Sequence, residues 1–216
     1  INNLAAPANT KVFSLTHRLH LTQPQAYIFD PELPYWIIYR NQLFDSVCRK
    51  LDFDVFEVFR DRQLTNKLLS SSGELRVLKS RNLSDDGKEI LDIPGYDSYI
   101  SYAAAKPLSV FQYLDAPNVY LTPNMTYKPR MMKKPPHCVV NGSLAILIPK
   151  GGIVPTEKQL AYFSSEEYRA FYQIARNFQT RSLNVDACSV FFYGLLRDEA
   201  RPAPEKFDTS VQLSFL

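Results

Sequence analysis

The sequence predicts an α+β fold in which a twisted, mainly antiparallel sheet has helices packed on one side. Short runs of β-branched and aromatic residues, separated by turn residues, fill the middle of the chain. After Pro155, two segments instead show the Ser/Thr-to-Glu/Gln spacing with which helices begin. With 216 residues, 45% of them hydrophobic, the chain can bury a sizeable core.

Alternation or a short apolar run marks each predicted strand. The predicted strands are Val12–Leu21, Tyr35–Tyr39, Val55–Phe59, Leu75–Leu78, Tyr96–Tyr102, Asn118–Leu121, His137–Val140, Ser143–Ile148 and Ser189–Leu196. The dipeptide Asn141-Gly142 is typical of a tight hairpin turn, so it predicts that the strands on either side pair with each other.

Three helices are predicted from capping residues and apolar spacing. One follows Asn41 and runs to Leu51, and two more begin at the capping boxes Thr156–Gln159 and Ser164–Glu167. In the last helix an apolar stripe is expected to face the core. The stripe consists of Tyr168, Phe171, Tyr172 and Ala175.

The predicted organisation is one main domain with an extension at each end. Residues 51–196 form the domain, residues 1–50 an N-terminal extension packed on it, and residues 197–216 a linker with a possible edge strand. Because the chain opens at Ile1, we interpret it as a fragment of a longer protein. No stretch approaches the ~20 apolar residues of a membrane span, so we expect a cytoplasmic location and no membrane partner.

Residue patterns for catalysis and metal binding are missing from the sequence. Cys48, Cys138 and Cys188 are widely spaced and include no CxxC pair, so we expect them to be buried and reduced, with no metal site. The chain also lacks the glycine-bearing turn that holds a methyl donor and the Asn/Asp-Pro-Pro-aromatic loop that holds a target amine. We therefore expect no catalytic centre in this chain.

Three polar, basic segments lie outside the predicted strands and carry few acids. The first, Arg60 to Arg81, holds Arg60, Arg62, Gln63, Lys67, Arg76, Lys79 and Arg81 against only Asp61 and Glu74. The second holds Tyr127, Lys128, Arg130, Lys133 and Lys134. The third holds Arg176, Asn177, Gln179, Arg181 and Asn184.

This mixture of side chains suits a double-stranded DNA partner, because Lys and Arg neutralise phosphates while Arg, Asn and Gln can pair with base edges. We assign phosphate contacts to Lys128, Lys133 and Lys134. Base-edge contacts are assigned to Arg60, Arg62, Gln63, Asn82, Arg130, Gln179 and Arg181. Each segment alone also fits an ordinary solvated loop. The net charge of +3 does not decide between these interpretations, so the fold must bring the segments together.

A family resemblance rests on four stretches of the sequence. In residues 58–90 (VFRDRQLTNKLLSSSGELRVLKSRNLSDDGKEI), a polar turn precedes a strand ending in Lys-Ser-Arg-Asn-Leu. Together with residues 118–150, 161–177 and 181–194, this stretch resembles the target recognition domains of type II restriction-modification adenine-specific DNA methyltransferases, of the Alw26I/Eco31I/Esp3I kind.

The resemblance spans roughly Asp54 to Leu196 and implies a bacterial module that recognises a specific DNA sequence. It implies DNA-binding roles for Lys79, Arg81, Asn82, Lys128, Arg130, Arg176 and Arg181. Methylation of adenine N6 and binding of S-adenosylmethionine would belong to an upstream catalytic domain that this chain lacks. The expected partners are therefore double-stranded DNA and that catalytic domain.

Two other functions remain open from the residues. Asp85, Asp86 and Glu89 are of the type used by metal-dependent restriction nucleases, although they occupy the turn-like segment SDDGKE. Alternatively, the chain is an assembly module whose aromatic surface docks another subunit.

Overall fold

The computed structural model describes residues 9–14, 19–126, 128–179 and 184–198. Within them it shows a mixed α+β fold, which confirms the predicted class. Antiparallel pairing predominates, but the strands are divided among four small sheets instead of forming one sheet. The predicted edge strand beyond residue 198 lies outside the described residues.

The helices are α1 (Gln25–Ile28), α2 (Gln42–Lys50), α3 (Tyr102–Ala105), α4 (Glu157–Tyr162) and α5 (Glu166–Ala175). Local capping explains where the longer ones begin. The Asn41 side chain accepts a hydrogen bond from the Phe44 amide at 3.0 Å, and Thr156 forms a capping box with Gln159. The start of α5 was predicted one residue early, because Ser165 is its cap.

The strands are β1 (Asn9–Ser14), β2 (Leu19–Pro24), β3 (Leu51–Asp52), β4 (Phe56–Phe59), β5 (Leu75–Leu78), β6 (Ser98–Ile100), β7 (Tyr120–Pro123), β8 (Met132–Lys133), β9 (Cys138–Val140), β10 (Leu144–Pro149) and β11 (Leu195–Leu196). The largest sheet has the order β4-β10-β7-β8, and a second has the order β6-β5-β9. Two-stranded sheets form from β1 with β2 and from β3 with β11. Only β5 and β9 run parallel among the described pairs.

Strand β10 separates two hydrophobic cores, because successive side chains of a strand point to opposite faces. Ala145 and Leu147 face the helix-side core, while Leu144 and Ile146 face the sheet-side core. The helix-side core is rich in aromatic residues and lies between the largest sheet and the helices α2 and α5. The sheet-side core is mainly aliphatic and lies against the sheet β6-β5-β9. The predicted stripe of α5 is buried in the helix-side core, as expected.

The predicted strand Tyr35–Tyr39 is wrong, since this segment forms turns. The side chain of Asn177 accepts a hydrogen bond from the Ile38 amide at 2.7 Å and donates one to the Trp36 carbonyl at 2.9 Å. The Asn177 side chain therefore forms the hydrogen bonds that a neighbouring strand would otherwise make with the backbone of this segment.

The predicted hairpin at Asn141-Gly142 is also wrong, because β9 pairs with β5 whereas β10 pairs with β4 and β7. The turn instead carries the chain from one sheet to the other. A Cβ atom at Gly142 would lie 2.7 Å from the carbonyl oxygen of Asp61, so the close approach of two backbones requires glycine here.

Two further strand predictions change at their ends. Ser189–Phe192 forms a 3-10 turn before β11, because the Asp186 carboxylate accepts hydrogen bonds from the amides of Cys188 and Ser189. Val12–Leu21 divides between the antiparallel strands β1 and β2, and residues 15–18 between them lie outside the described residues.

Cysteine burial and membrane-spanning length were also predicted from the sequence. Cys48 and Cys138 are half-buried, whereas Cys188 is exposed, so the prediction of a buried Cys188 is wrong. In the described ranges, no helix has the length and apolar character needed to span a bilayer.

Candidate nucleic-acid interface

One end of the two larger sheets gathers loops from distant parts of the sequence. Because of the strand directions, β4, β5, β7 and β9 end there, while β6 and β10 begin there. Ser143 joins the two sheets: its Oγ accepts a hydrogen bond from the Ser80 amide at 2.9 Å, and its carbonyl accepts one from the Asn124 amide at 2.9 Å. We call this surface the strand-end face. It comprises the described residues within 60–63, 79–85, 96–97, 124–130, 141–143 and 176–186.

The centre of the strand-end face is a tight corner after β5, formed by residues 79–83. Asn82 is fully buried within it. Its Oδ1 accepts a hydrogen bond from the Lys79 amide at 2.9 Å, and its Nδ2 donates to the Leu91 carbonyl at 3.0 Å and to Asp97 Oδ1 at 2.7 Å. The Asn82 amide group is thus engaged inside the protein and fixes the shape of the corner.

Asp97 links this corner to β5. Burial opposes its ionisation, but hydrogen bonds from Ile93 and Asn82 and an ion pair with Arg76 at 3.0 Å lower the pKa of its carboxyl group. Arg76 also pairs with Asp92 at 2.6 Å. Arg76 therefore forms ion pairs with two acids of the same chain and is not available to a ligand.

Arg130 braces the same corner from the second basic segment. Its Nη2 donates to the carbonyls of Ser80 and Leu83, both at 3.2 Å, and the side chain is buried. Burial lowers the pKa of Arg130, an effect that nearby Asp85 opposes. The Arg130 guanidinium group therefore holds the backbone of the corner in place and does not extend from the surface.

Tyr96 lies next to the corner, and two cations lie beside its ring. The Lys79 Nζ lies 4.0 Å and the Arg81 Cζ 4.7 Å from the centre of the Tyr96 ring. Lys79 also donates to the Tyr96 carbonyl and to Ser98 Oγ. Burial lowers the pKa of Lys79, and the charge of Arg81 acts in the same direction, whereas Asp97 opposes it. Arg81 is exposed and makes no ion pair with the described residues.

The first basic segment reaches the strand-end face directly after β4. Arg60 is half-buried, Arg62 is exposed, and neither makes an ion pair within the part of the chain that the structure describes. Asp61 between them is buried, and its carboxylate accepts a hydrogen bond from the Leu64 amide at 2.8 Å. Gln63 is exposed and accepts a hydrogen bond from the Ser109 amide at 2.7 Å, which leaves its amide NH₂ available.

The third basic segment meets the second through a bridge between Met125 and Asn184. Arg176, at the end of α5, is buried and donates to the Asn184 carbonyl at 3.2 Å. Gln179 is exposed. A cavity of about 250 Å³ is lined by Tyr35, Arg176, Gln179, Asp186 and Cys188.

Three predicted DNA-binding lysines lie away from the strand-end face. Lys133 is an exposed residue of β8 and pairs with Tyr120, at the end of β7 that lies away from the strand-end face. Lys134 is buried there and donates to the carbonyls of Leu114 at 2.7 Å and Pro135 at 3.0 Å. Lys67 is exposed in a 3-10 turn that leads to the edge of β6. Lys128 alone of the predicted phosphate-contacting lysines lies on the strand-end face.

Two predicted contact residues, Tyr127 and Arg181, lie outside the described residues. The structure therefore brings together described members of all three basic segments and separates Lys67, Lys133 and Lys134 from them. Those three residues are basic and close in sequence to the others, but they lie elsewhere in the fold.

The acids proposed for a nuclease site have other partners. Asp85 lies 3.7 Å from Lys128 and 4.0 Å from Arg130. Two hydrogen bonds lower the pKa of Asp86: the larger effect comes from the Ser84 side chain and the smaller from the Lys88 amide. Among the described residues, no group of three or more His, Cys, Asp or Glu side chains is placed to hold a metal ion.

Tyr96 and Ser143 were not identified as site residues from the sequence. Tyr96 precedes β6 and was assigned to a predicted strand, and its position beside Lys79 and Arg81 depends on the pairing of β5 with β6. Ser143 follows the Asn141-Gly142 turn, which the sequence suggested was a simple hairpin. The sequence signal next to Ser143 was the Asn141-Gly142 turn. In the structure this turn carries the chain from β9 in one sheet to β10 in the other.

Comparison with known proteins gives no family assignment. No model of a known protein family matches the chain, and no curated protein matches it significantly.

Proposed function

We propose that this chain is a sequence-specific double-stranded DNA recognition module, the target recognition domain of a bacterial restriction-modification methyltransferase. The observation that supports this proposal is the convergence of Arg60, Arg62 and Arg81 on one face. These side chains come from loops that are distant in sequence, and none of them makes an ion pair with the described residues.

Uncompensated cations on one face favour a polyanion, because each contacted phosphate releases condensed counterions. The same face also carries groups that can read bases. Arg62, Gln63, Arg81 and Gln179 have exposed donors suited to guanine or adenine edges. A phosphate-binding surface with base-reading groups at its centre is the usual division of labour in DNA recognition.

The predicted DNA-binding residues thus divide into two roles. We assign direct contacts to Arg60, Arg62, Gln63, Arg81, Lys128 and Gln179. Positioning is assigned to Lys79, Asn82, Arg130 and Arg176, because each side chain donates a hydrogen bond to another group of the protein. Truncating a positioning residue would impair DNA binding through a change in the shape of the face.

Catalysis belongs, in this proposal, to a separate domain of the parent protein. That domain would bind S-adenosylmethionine and methylate adenine N6, while this chain would hold the duplex in register. The cytoplasm is the expected location, since that is where bacterial DNA lies.

The proposal is tested by selecting ligands for this chain from a pool of randomised duplexes, at low and at physiological salt. Enrichment of one short motif at both salt concentrations is the expected result. Binding that vanishes at physiological salt and enriches no motif would indicate phosphate attraction alone and contradict the proposal.

A second candidate, an assembly module, is favoured by exposed aromatic residues near the N-terminus. Phe13, Phe29 and Trp36 are 68%, 50% and 48% exposed, and Phe29 packs edge-on against Trp36 at 5.8 Å. Exposed aromatic groups often mark protein-binding surfaces. Salt-insensitive self-association in sedimentation experiments, without DNA binding, would favour this function over DNA recognition.

A further inference from the structure

Arg81 differs from the other exposed cations of the strand-end face in how firmly its surroundings are fixed. Its guanidinium group lies against the Tyr96 ring at 4.7 Å, and no acid within the described ranges pairs with it. Lys79, on the same ring at 4.0 Å, repels it electrostatically. An anion or an acceptor-rich edge would therefore be favoured beside Arg81.

The backbone that carries Arg81 is braced on both sides. The preceding residue, Ser80, donates its amide to Ser143 Oγ at 2.9 Å and accepts from Arg130 at 3.2 Å. The following residue, Asn82, is fully buried and makes three side-chain hydrogen bonds. Arg81 thus projects from a fixed corner, and its side chain is the exposed member of the 3-10 turn Ser80–Asn82.

We propose that Arg81, supported by Tyr96, is the residue that selects guanine in the major groove of the bound duplex. This inference rests on the proposed function. The planar guanidinium group can donate two parallel hydrogen bonds to guanine O6 and N7, a pattern that the other bases do not offer.

A base contact explains the bracing better than a phosphate contact does. Phosphate contacts tolerate flexible side chains, because the charge interaction is long-ranged and weakly directional. Two parallel hydrogen bonds to one base need the donor to be placed within about 0.5 Å, which requires a rigid support. Stacking on Tyr96 also restricts the long side chain before binding and reduces the entropy lost in the complex.

The test compares wild-type protein with the variants Arg81→Ala and Arg81→Lys in the same duplex selection. We expect both variants to lose preference at one G·C pair of the selected motif. Affinity for that motif should fall about tenfold to a hundredfold, as for loss of one bidentate base contact. Arg81→Lys keeps the charge, so its affinity for unrelated duplexes and its salt dependence should stay close to wild type.

Two Tyr96 variants separate support of Arg81 from a general structural role. Tyr96→Phe keeps the ring and the backbone carbonyl that binds Lys79, so it should retain the G·C preference. Tyr96→Leu removes the ring and should weaken that preference. Lys133→Ala is the matched control, because it removes one positive charge at the opposite end of the sheet. Circular dichroism and thermal unfolding would verify that each variant is folded.

The outcomes distinguish this inference from the proposed function. If Arg81→Ala weakens all duplexes equally and makes the salt dependence shallower, Arg81 contacts phosphate, and the inference is wrong while DNA recognition stands. Unchanged selectivity in Arg81→Ala would overturn the inference in the same way. If the wild-type chain enriches no motif, the inference and the proposed function are both wrong.

Discussion

At the end of the two larger sheets opposite to the strand-end face, several basic side chains have partners within the protein, although Lys133 is exposed. Lys150 pairs with Asp54 at 2.6 Å, His137 lies 3.3 Å from Asp115, and Lys134 is buried against backbone carbonyls. At the strand-end face, Arg60, Arg62 and Arg81 have no acidic partner among the described residues. Position in the sequence does not predict which end a cation occupies. Lys128 and Lys133 are only a few residues apart in the chain but lie at opposite ends of the sheet.

This difference suggests that unpaired charge, rather than the number of cations, marks the candidate site. Internal pairing at one end satisfies the protein's own backbone and acids, and it leaves little net attraction for a polyanion. At the strand-end face the buried cations support loops, Lys128 lies 3.7 Å from Asp85, and Arg60, Arg62 and Arg81 have no ion pair with the described residues. The comparison can be tested by changing matched residues at the two ends.

The largest expected effect is at Asn82. Replacing Asn82 with alanine removes three hydrogen bonds and leaves the Lys79 amide and Asp97 Oδ1 without their Asn82 partner, so the unfolding free energy should fall by about 3 kcal/mol. Urea denaturation would measure the loss. The matched control at the opposite end is Asn118→Ala, which removes hydrogen bonds to Ile153 and Tyr120 that are partly exposed to water. Its expected cost is under about 1 kcal/mol, and an equal cost for both variants would contradict a special role for the corner.

Lys134→Met should have a smaller effect that depends on pH. Burial lowers the pKa of Lys134 below its ordinary value of 10.5. Between the lowered pKa and 10.5 the unfolded chain binds more protons at this position, so the wild type gains stability relative to Lys134→Met as pH rises through that window.

At pH 7 the Lys134→Met change should cost about 1 kcal/mol, because loss of the hydrogen bonds to the Leu114 and Pro135 carbonyls is partly offset by removal of a desolvated charge. Urea denaturation at several pH values would measure both effects. Lys133→Met, which replaces an exposed lysine at the same end of the sheet, is the control. DNA binding by Lys134→Met should be unaffected, since the residue lies far from the strand-end face in the fold. A loss of binding at full stability would argue against the assignment of ends.

The smallest expected effect distinguishes Lys128 from Lys133. Lys128→Ala removes a phosphate contact, so the slope of log affinity against log salt should become shallower by about one. Lys133→Ala should leave that slope unchanged. Fluorescence anisotropy titrations over a range of salt concentrations would measure both slopes. The reverse result would place the DNA at the opposite end of the sheet.

Local signals in the sequence predicted the three longer helices, α2, α4 and α5, but not the short helices α1 and α3. The caps Asn41 and Thr156 act on amides within three residues, so their effect does not depend on the rest of the fold. The core stripe of α5 was predicted for the same reason, because helical periodicity places its members on one side.

Partners from distant segments could not be predicted in this way. Asn141-Gly142 looks like a hairpin turn, but β9 and β10 pair with strands that other parts of the chain supply. Arg130 and Lys134 look like surface cations in the sequence, and their burial depends on carbonyls of Ser80, Leu83 and Leu114. The basic segments were therefore found from the sequence, while the division into contact and positioning residues required the three-dimensional structure.

The parallel pairing of β5 with β9 has a consequence for synthesis of the protein. Arg76 is in register with Cys138, so a long stretch of chain must be made before this pair can form. The corner that carries Arg81 also needs Arg130 and Ser143, which leave the ribosome later than the corner itself. A nascent chain can therefore pair β1 with β2 early, but it completes the strand-end face only after β10 and residues 176–186 have emerged. Fragments that end before residue 143 should lack a stable strand-end face.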